Sequence, residues 1–236
     1  MEAEKQITDF VNRLKQAAGA NLECMALFGS AANGEFHADY SDINLLCVVR
    51  ELSAAVLEKL APVINAWTRN KLPAPLIFSR SELERSTDVF AIEMLDIRER
   101  HRILYGEDIL TGINVPMELH RVQVEHSLRT KLLTLRQSYI QAVGDDNRVR
   151  RLMLDSVSTF STLFRHTLIA MGEQPARHKA DNVKKLAERT NFDPGIFLKL
   201  LQVRERTAKE SEIEVAPGFA KYLDGINTVV QAVDAL

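Results

Sequence analysis

Apolar positions along the first hundred residues change period several times. Ile7, Phe10, Val11 and Leu14 recur at helical spacing ahead of Gly19, which predicts a helix over residues 3–19. Residues 22–28 form a compact apolar run and read as a strand. The run stops at Gly29-Ser30, a turn that opens a short helix ending near Gly34. A polar stretch, Glu35 to Tyr40, reads as a loop. Residues 42–50 are again almost continuously apolar and predict a second strand buried on both faces. Helical spacing returns from Leu52 to Trp67, with Val56, Leu57, Leu60 and Ile64 on one face. Lys71 to Pro75 is a turn and Leu76-Ile77-Phe78 a short third strand. Ser81 is placed as the N-cap of a further helix, and Arg102 to Tyr105 reads as a last strand closed by Gly106.

Beyond Pro116 the strand-like runs vanish. Helices are predicted near 116–142, 146–171, 180–190, 194–208 and 217–235, with breaks at Gly144-Asp145-Asp146, Gly172 to Pro175, Asp193-Pro194 and Pro217-Gly218. Phe160, Phe164 and Leu168 fall on one helical face and read as core. The expected fold class is therefore α+β: a mixed sheet with flanking helices over residues 1–112, then a helical bundle over 113–236.

A length of 236 residues accommodates those two domains, and a net charge of -2 gives no global field for nucleic acid or membrane. The N-terminus is charged and amphipathic, and no stretch is apolar enough to span a bilayer, so a cytoplasmic protein with no membrane partner is expected. Cys24 and Cys47 both lie in apolar runs and read as buried, reduced thiols. The six histidines form no close pair on a helix face, which argues against zinc. Arg148, Arg150 and Arg151, and then Arg177 to Lys185, are basic runs that read first as solvated bundle faces.

Candidate chemistry gathers where the first two strands meet. A glycine at a strand end lets backbone approach a phosphate with no Cβ in the way. Ser30 adds a hydroxyl. Asp42 and Asn44 are two apart on a predicted strand, so they share a face, and Ser41 sits at its mouth. Paired strands would bring that face to the Gly29-Ser30 turn. The arrangement is suited to a triphosphate flanked by oxygen ligands for Mg²⁺.

Gly29-Ser30, followed a dozen residues later by Ser41-Asp42-Ile43-Asn44-Leu45, resembles the signature of the nucleotidyltransferase superfamily, the DNA polymerase beta type of fold. The small bacterial and aminoglycoside-modifying members of that superfamily also append a helical bundle. The resemblance implies that Gly29, Ser30 and Ser41 contact a nucleoside triphosphate and that Asp42 and Asn44 hold Mg²⁺. Asp42 matches the first acid of the family's Asp-x-Asp. Asn44 departs from the second, and an amide brings no charge to a cation. The family's third acid belongs on a later strand, yet Ala74 to Ser79 contains none. Glu93 and Asp96, three apart in an apolar run, are the nearest acids of interest, and Glu93 is the candidate base. Both also have ion-pair partners in reach along the sequence, at Arg98, Arg100 and Arg102.

Two further signals are weaker. Asp39 reads as a solvated loop acid. Arg121 and His126 match the Arg-x4-His spacing of helical HEPN ribonuclease domains, but on the first bundle helix. The resemblance thus implies Mg²⁺-dependent transfer of a nucleoside monophosphate from an NTP to a hydroxyl, on a small molecule or a macromolecule. The degenerate Asp42-x-Asn44 pair admits an alternative: a catalytically inactive nucleotide-binding or regulatory protein on the same fold. A homo-oligomer is compatible with either.

Overall fold

The computed structural model describes residues 2–32 and 43–236, and the chain divides into two compact units, Met1–Pro116 and Met117–Leu236. In the first, helix α1 (Glu2–Ala18) leads into strand β1 (Leu22–Phe28). Strand β2 (Asn44–Val49), helix α2 (Ala54–Thr68), strand β3 (Leu76–Ser79), helices α3 (Arg80–Arg85) and α4 (Ala91–Glu99), and strand β4 (His101–Gly106) follow. The strands form one mixed sheet in the order β3-β2-β1-β4. β1 is antiparallel to both β2 and β4, while β3 runs parallel to β2.

Side-chain alternation along these strands divides the core in two. Met25, Leu27, Leu45, Cys47 and Val49 pack with α1 and α2 through Phe10, Leu14, Leu60 and Trp67. Cys24, Ala26, Leu46 and Val48 point the other way, onto Leu83, Ala91, Met94 and Ile97 of α3 and α4. The second strand is thus buried on both faces, as its unbroken apolar run predicts. The two cysteines are buried free thiols on opposite faces of the sheet. Burial pushes the Cys24 thiol up to about 11 and the Cys47 thiol up to about 12, so neither is a nucleophile at neutral pH.

One predicted cap moves. Ser79, not Ser81, caps α3: its side chain accepts from the Glu82 N–H, and Glu82 Oε2 in turn accepts from the Ser79 N–H at 2.8 Å. The reciprocal pair requires an acid three residues after the cap, and Ser79-x-x-Glu82 meets that spacing.

The second unit is helical throughout: α5 (His120–Ala142), α6 (Asp146–Ala170), α7 (Lys179–Thr190), α8 (Gly195–Arg204) and α9 (Val215–Asp234). α6 carries the centre of the core, with Phe160, Phe164 and Leu168 buried as expected. Their aromatic neighbours are Phe192, Phe197 and Tyr222. Pro217-Gly218 is not a break. Pro217 occupies the first turn of α9, where a missing N–H breaks no helical hydrogen bond. Among the described residues no helix is long and apolar enough to cross a membrane.

Candidate functional site

β1 ends at Phe28, which pairs with Asn44 at the start of β2 on one side and with His101 at the start of β4 on the other. Directly after Phe28 the chain turns. Gly29 takes φ +76, a conformation that L side chains rarely adopt, and begins a 3-10 turn, Gly29–Ala31, closed by the Ala32 N–H donating to the Gly29 carbonyl at 3.1 Å. A Cβ built on Gly29 would lie 3.2 Å from Nδ2 of Asn44. The torsion thus favours glycine here, and a Cβ would also crowd the Asn44 side chain. The half-buried Asn44 amide stands against the turn, and Ser30 is the second residue of that turn. Gly29 and Asn44, predicted to meet from the strand pairing, do meet. Ser41 and Asp42 lie outside the described residues, as does Asp39.

Strand alternation identifies what else shares the Asn44 face at this edge. Phe28, Leu46 and Phe78 belong to the α3/α4 side of the sheet. By the same alternation Asn44 and Leu76 point there too, with Leu76 at the head of β3 beside Leu46. The adjacent strand thus presents an exposed apolar side chain, Leu76, beside Leu46. His101 points the same way, two residues before Ile103, and sequence reasoning missed it. Its signal is faint, since a lone histidine at a strand start carries no pattern. Its Nδ1 lies 2.7 Å from the Ile97 carbonyl and its Nε2 3.2 Å from Asp108 Oδ1. Both ring nitrogens are engaged, so His101 ties the end of α4 to the segment after β4.

Asp108 is held by several hydrogen bonds. Partial burial opposes its ionisation. Hydrogen bonds from the Thr111 hydroxyl and N–H, the Leu110 N–H and His101 outweigh that and bring its pKa down to about 2. Glu93 is exposed in the first turn of α4, two turns of chain before His101, and no described contact joins it to Gly29 or Asn44. Of the arginines expected to pair with Glu93 or Asp96, Arg102 bonds Glu4 at 2.7 Å and Arg98 donates to the Ile113 carbonyl. Among the described residues no group of three or more His, Cys, Asp or Glu side chains could hold a metal ion.

An open groove of about 780 Å³ lies at the other end of the sheet, lined in part by Arg80, Glu84, Glu107 and Asn114. Arg80 follows Ser79, which pairs with Val49, and Glu107 follows Gly106, which pairs with Cys24. Its lining also includes Asp108, which meets His101 Nε2 at 3.2 Å, so the groove extends from that end toward the strand edge that holds His101. In the helical unit, Arg121 is committed to Glu125 at 3.2 Å and to the Val233 carbonyl at 3.2 Å, while His126 is exposed. That arrangement gives the Arg-x4-His spacing no paired active centre.

The whole chain superimposes on a spectinomycin adenyltransferase, AAD(9), from Enterococcus faecialis, solved with ATP and spectinomycin. The match covers 98% of this chain and 99% of that one, with a TM-score of 0.62 and 16% identity. The chain has the nucleotidyltransferase fold, with a mixed N-terminal sheet and a helical C-terminal part. A toxin–antitoxin structure with AMP-PNP overlaps 58% of this chain and 97% of that one at 18% identity, but its TM-score of 0.31 is too low to carry an argument. No protein-family model matches the chain, and no curated protein matches it.

Proposed function

We propose that the N-terminal unit binds a nucleoside triphosphate at the Gly29-Ser30 turn, and that the chain transfers the nucleoside monophosphate to a hydroxyl acceptor. The observation that carries this is the Gly29–Asn44 contact on a fold shared over its full length with an ATP-bound adenyltransferase. Backbone N–H groups of the turn, with the Ser30 and Ser41 hydroxyls, would hold phosphate oxygens. The acceptor oxygen would attack the α-phosphorus, the α–β phosphoanhydride bond would break, pyrophosphate would leave, and the hydroxyl proton would pass to a carboxylate, with Asp42 and Glu93 as the proposed catalytic carboxylates. Spectinomycin is the neighbour's ligand; for this chain the acceptor class is a hydroxyl on a small molecule or a macromolecule.

Mg²⁺ would be held by Asp42 and the Asn44 amide oxygen, and when bound it would neutralise phosphate charge. The described residues supply one oxygen donor to that set, Asn44, and no carboxylate cluster.

A second reading, a non-catalytic nucleotide-binding protein, is favoured by two positions. Nδ2 of Asn44 is the atom nearest the Gly29 Cβ position, so the amide offers a donor to a phosphate seated on the turn. Leu76 occupies the head of the neighbouring strand. The deciding experiment is calorimetry with each NTP, with and without Mg²⁺ or Mn²⁺, alongside pyrophosphate release over a panel of hydroxyl acceptors. Metal-strengthened binding with pyrophosphate release supports transfer. Binding that EDTA leaves unchanged, with no pyrophosphate from any acceptor, selects the second reading. No binding of any NTP overturns both.

A further inference from the structure

His101 stands at the head of β4, beside Phe28 of the central strand, and its side chain is 8% exposed. Its ring meets two oxygens. Nδ1 lies 2.7 Å from the Ile97 carbonyl near the end of α4, and Nε2 lies 3.2 Å from Asp108 Oδ1 in the segment after β4. A carbonyl oxygen only accepts hydrogen bonds. An ionised carboxylate also only accepts, and Asp108 stays ionised down to about pH 2. A neutral imidazole carries one N–H and can satisfy one of these two oxygens. Both bonds exist together only when each ring nitrogen carries a proton.

The consequence reaches the groove. Asp108 Oδ1 also accepts from the N–H groups of Leu110 and Thr111, each at 3.0 Å, and Oδ2 accepts from the Thr111 hydroxyl at 2.7 Å. Leu110 is fully buried among side chains of α3 and α4. One carboxylate thus organises the chain that follows Gly106, and that chain lines the groove through Glu107, Asp108, Ile109 and Asn114. His101 links the carboxylate to the end of α4.

We propose that His101 is a doubly protonated imidazolium that clamps the segment after β4 to the end of α4, and that loss of its Nε2 proton to solvent releases this wall of the groove. The shorter bond, to Ile97, keeps the remaining proton. A ring lone pair then faces Oδ1, so attraction turns to repulsion. The clamp is closed on the acid side and opens as pH rises. Asp108 is the charge that meets the ring. Among the neighbouring charges, Arg102 goes to Glu4 at 2.7 Å and Arg98 donates to the Ile113 carbonyl at 3.3 Å. Asp96, Glu99 and Arg100 before β4, and Glu107 after it, complete the titratable and charged set on these elements. β1 brings Phe28, which carries no charge.

The test is nitrogen-15 NMR of the histidine rings in the full-length protein, with His101→Gln to assign the signal, together with amide hydrogen exchange over residues 107–114. Both are followed from about pH 6 to 8.5, with exchange corrected for its intrinsic rate. The expected result at the acid end is two ring N–H protons on His101. As the Nε2 proton is lost, the Leu110 and Thr111 amides should exchange about tenfold faster, the scale of one hydrogen bond. In His101→Phe those amides should exchange fast at every pH. A ring with one N–H at the acid end overturns the proposal. So does exchange at Leu110 and Thr111 that stays level through the ring's titration in the wild type, which decides the matter even if His101→Phe fails to fold. Neither readout uses nucleotide, so the clamp stands or falls apart from the transfer reaction.

Discussion

Gly29 and Asn44 stand close together at the end of β1: a Cβ at position 29 would lie 3.2 Å from the Asn44 amide nitrogen, which would have to give by a few tenths of an ångström. The contact follows from the Phe28–Asn44 pairing, which leaves the next residue of β1 turning across the start of β2. Backbone torsion and side-chain room thus converge on one glycine at the mouth of the proposed phosphate site.

Gly29→Ala should therefore cost stability and binding separately. Holding an alanine at φ +76 costs about 1–2 kcal/mol. The displaced Asn44 amide should lower nucleotide affinity further. Chemical denaturation and NTP calorimetry on the same variant measure the two effects. Gly112→Ala is the matched control, since a Cβ there meets nothing within 4 Å.

Gly106 makes a harsher demand at the opposite end of β1. Its φ is +81, and a Cβ would land on the backbone carbonyl of Glu23 and close to Cys24 Cα. Both obstacles are main chain of the central strand, so no side-chain rotation relieves them. Gly106→Ala should destabilise the fold by about 3 kcal/mol, more than Gly29→Ala. Urea midpoints for the two variants and the wild type check the ranking.

Gly106, Gly29 and the strands between them also mark how far the sequence could be read. Residues 22–28 were legible as β1 to the residue, because a compact apolar run bounded by turn signals leaves little ambiguity. The Gly29–Asn44 meeting was legible because paired strands with a fixed side-chain period admit few registers. Leu76 and His101 were not legible as part of the same edge. Which strand lies beside β2, and which beside β1, depends on long-range pairing that no local pattern encodes. The capping serine was misplaced by two residues because two serines compete in Ser79-Arg80-Ser81, and the deciding partner is Glu82, three residues after the first.

That cap gives a local prediction. Ser79 is buried, its hydroxyl lies 3.2 Å from the Glu82 N–H, and Glu82 Oε2 returns a bond to the Ser79 N–H at 2.8 Å. Ser79→Ala removes one half of this exchange and should cost about 1 kcal/mol. Ser81→Ala should leave the cap bonds intact and cost much less. The two substitutions differ by position alone, so a thermal melt of each separates the capping role from a general effect of losing a hydroxyl.

Asp108 sets an acid limit on the N-terminal unit. Its folded pKa is about 2 against an ordinary 3.8, because the Thr111 hydroxyl and N–H, the Leu110 N–H and His101 bond its carboxylate more strongly than partial burial disfavours it. A depressed acid stabilises the fold while it is ionised. Its contribution is complete above the unfolded pKa near 4 and disappears as pH falls through the folded value near 2. The side chain is 42% exposed, so solvent screening trims the gain. Asp108→Asn keeps the size but loses the charge. It should lower stability at neutral pH and flatten the wild type's decline between about pH 4 and 2. Glu82, Glu173, Asp193 and Glu212 are also held below their ordinary values, so the decline should be reduced and not abolished. Denaturation midpoints of both proteins at stepped pH give the comparison, and parallel curves through that window would show that Asp108 does not carry the acid sensitivity.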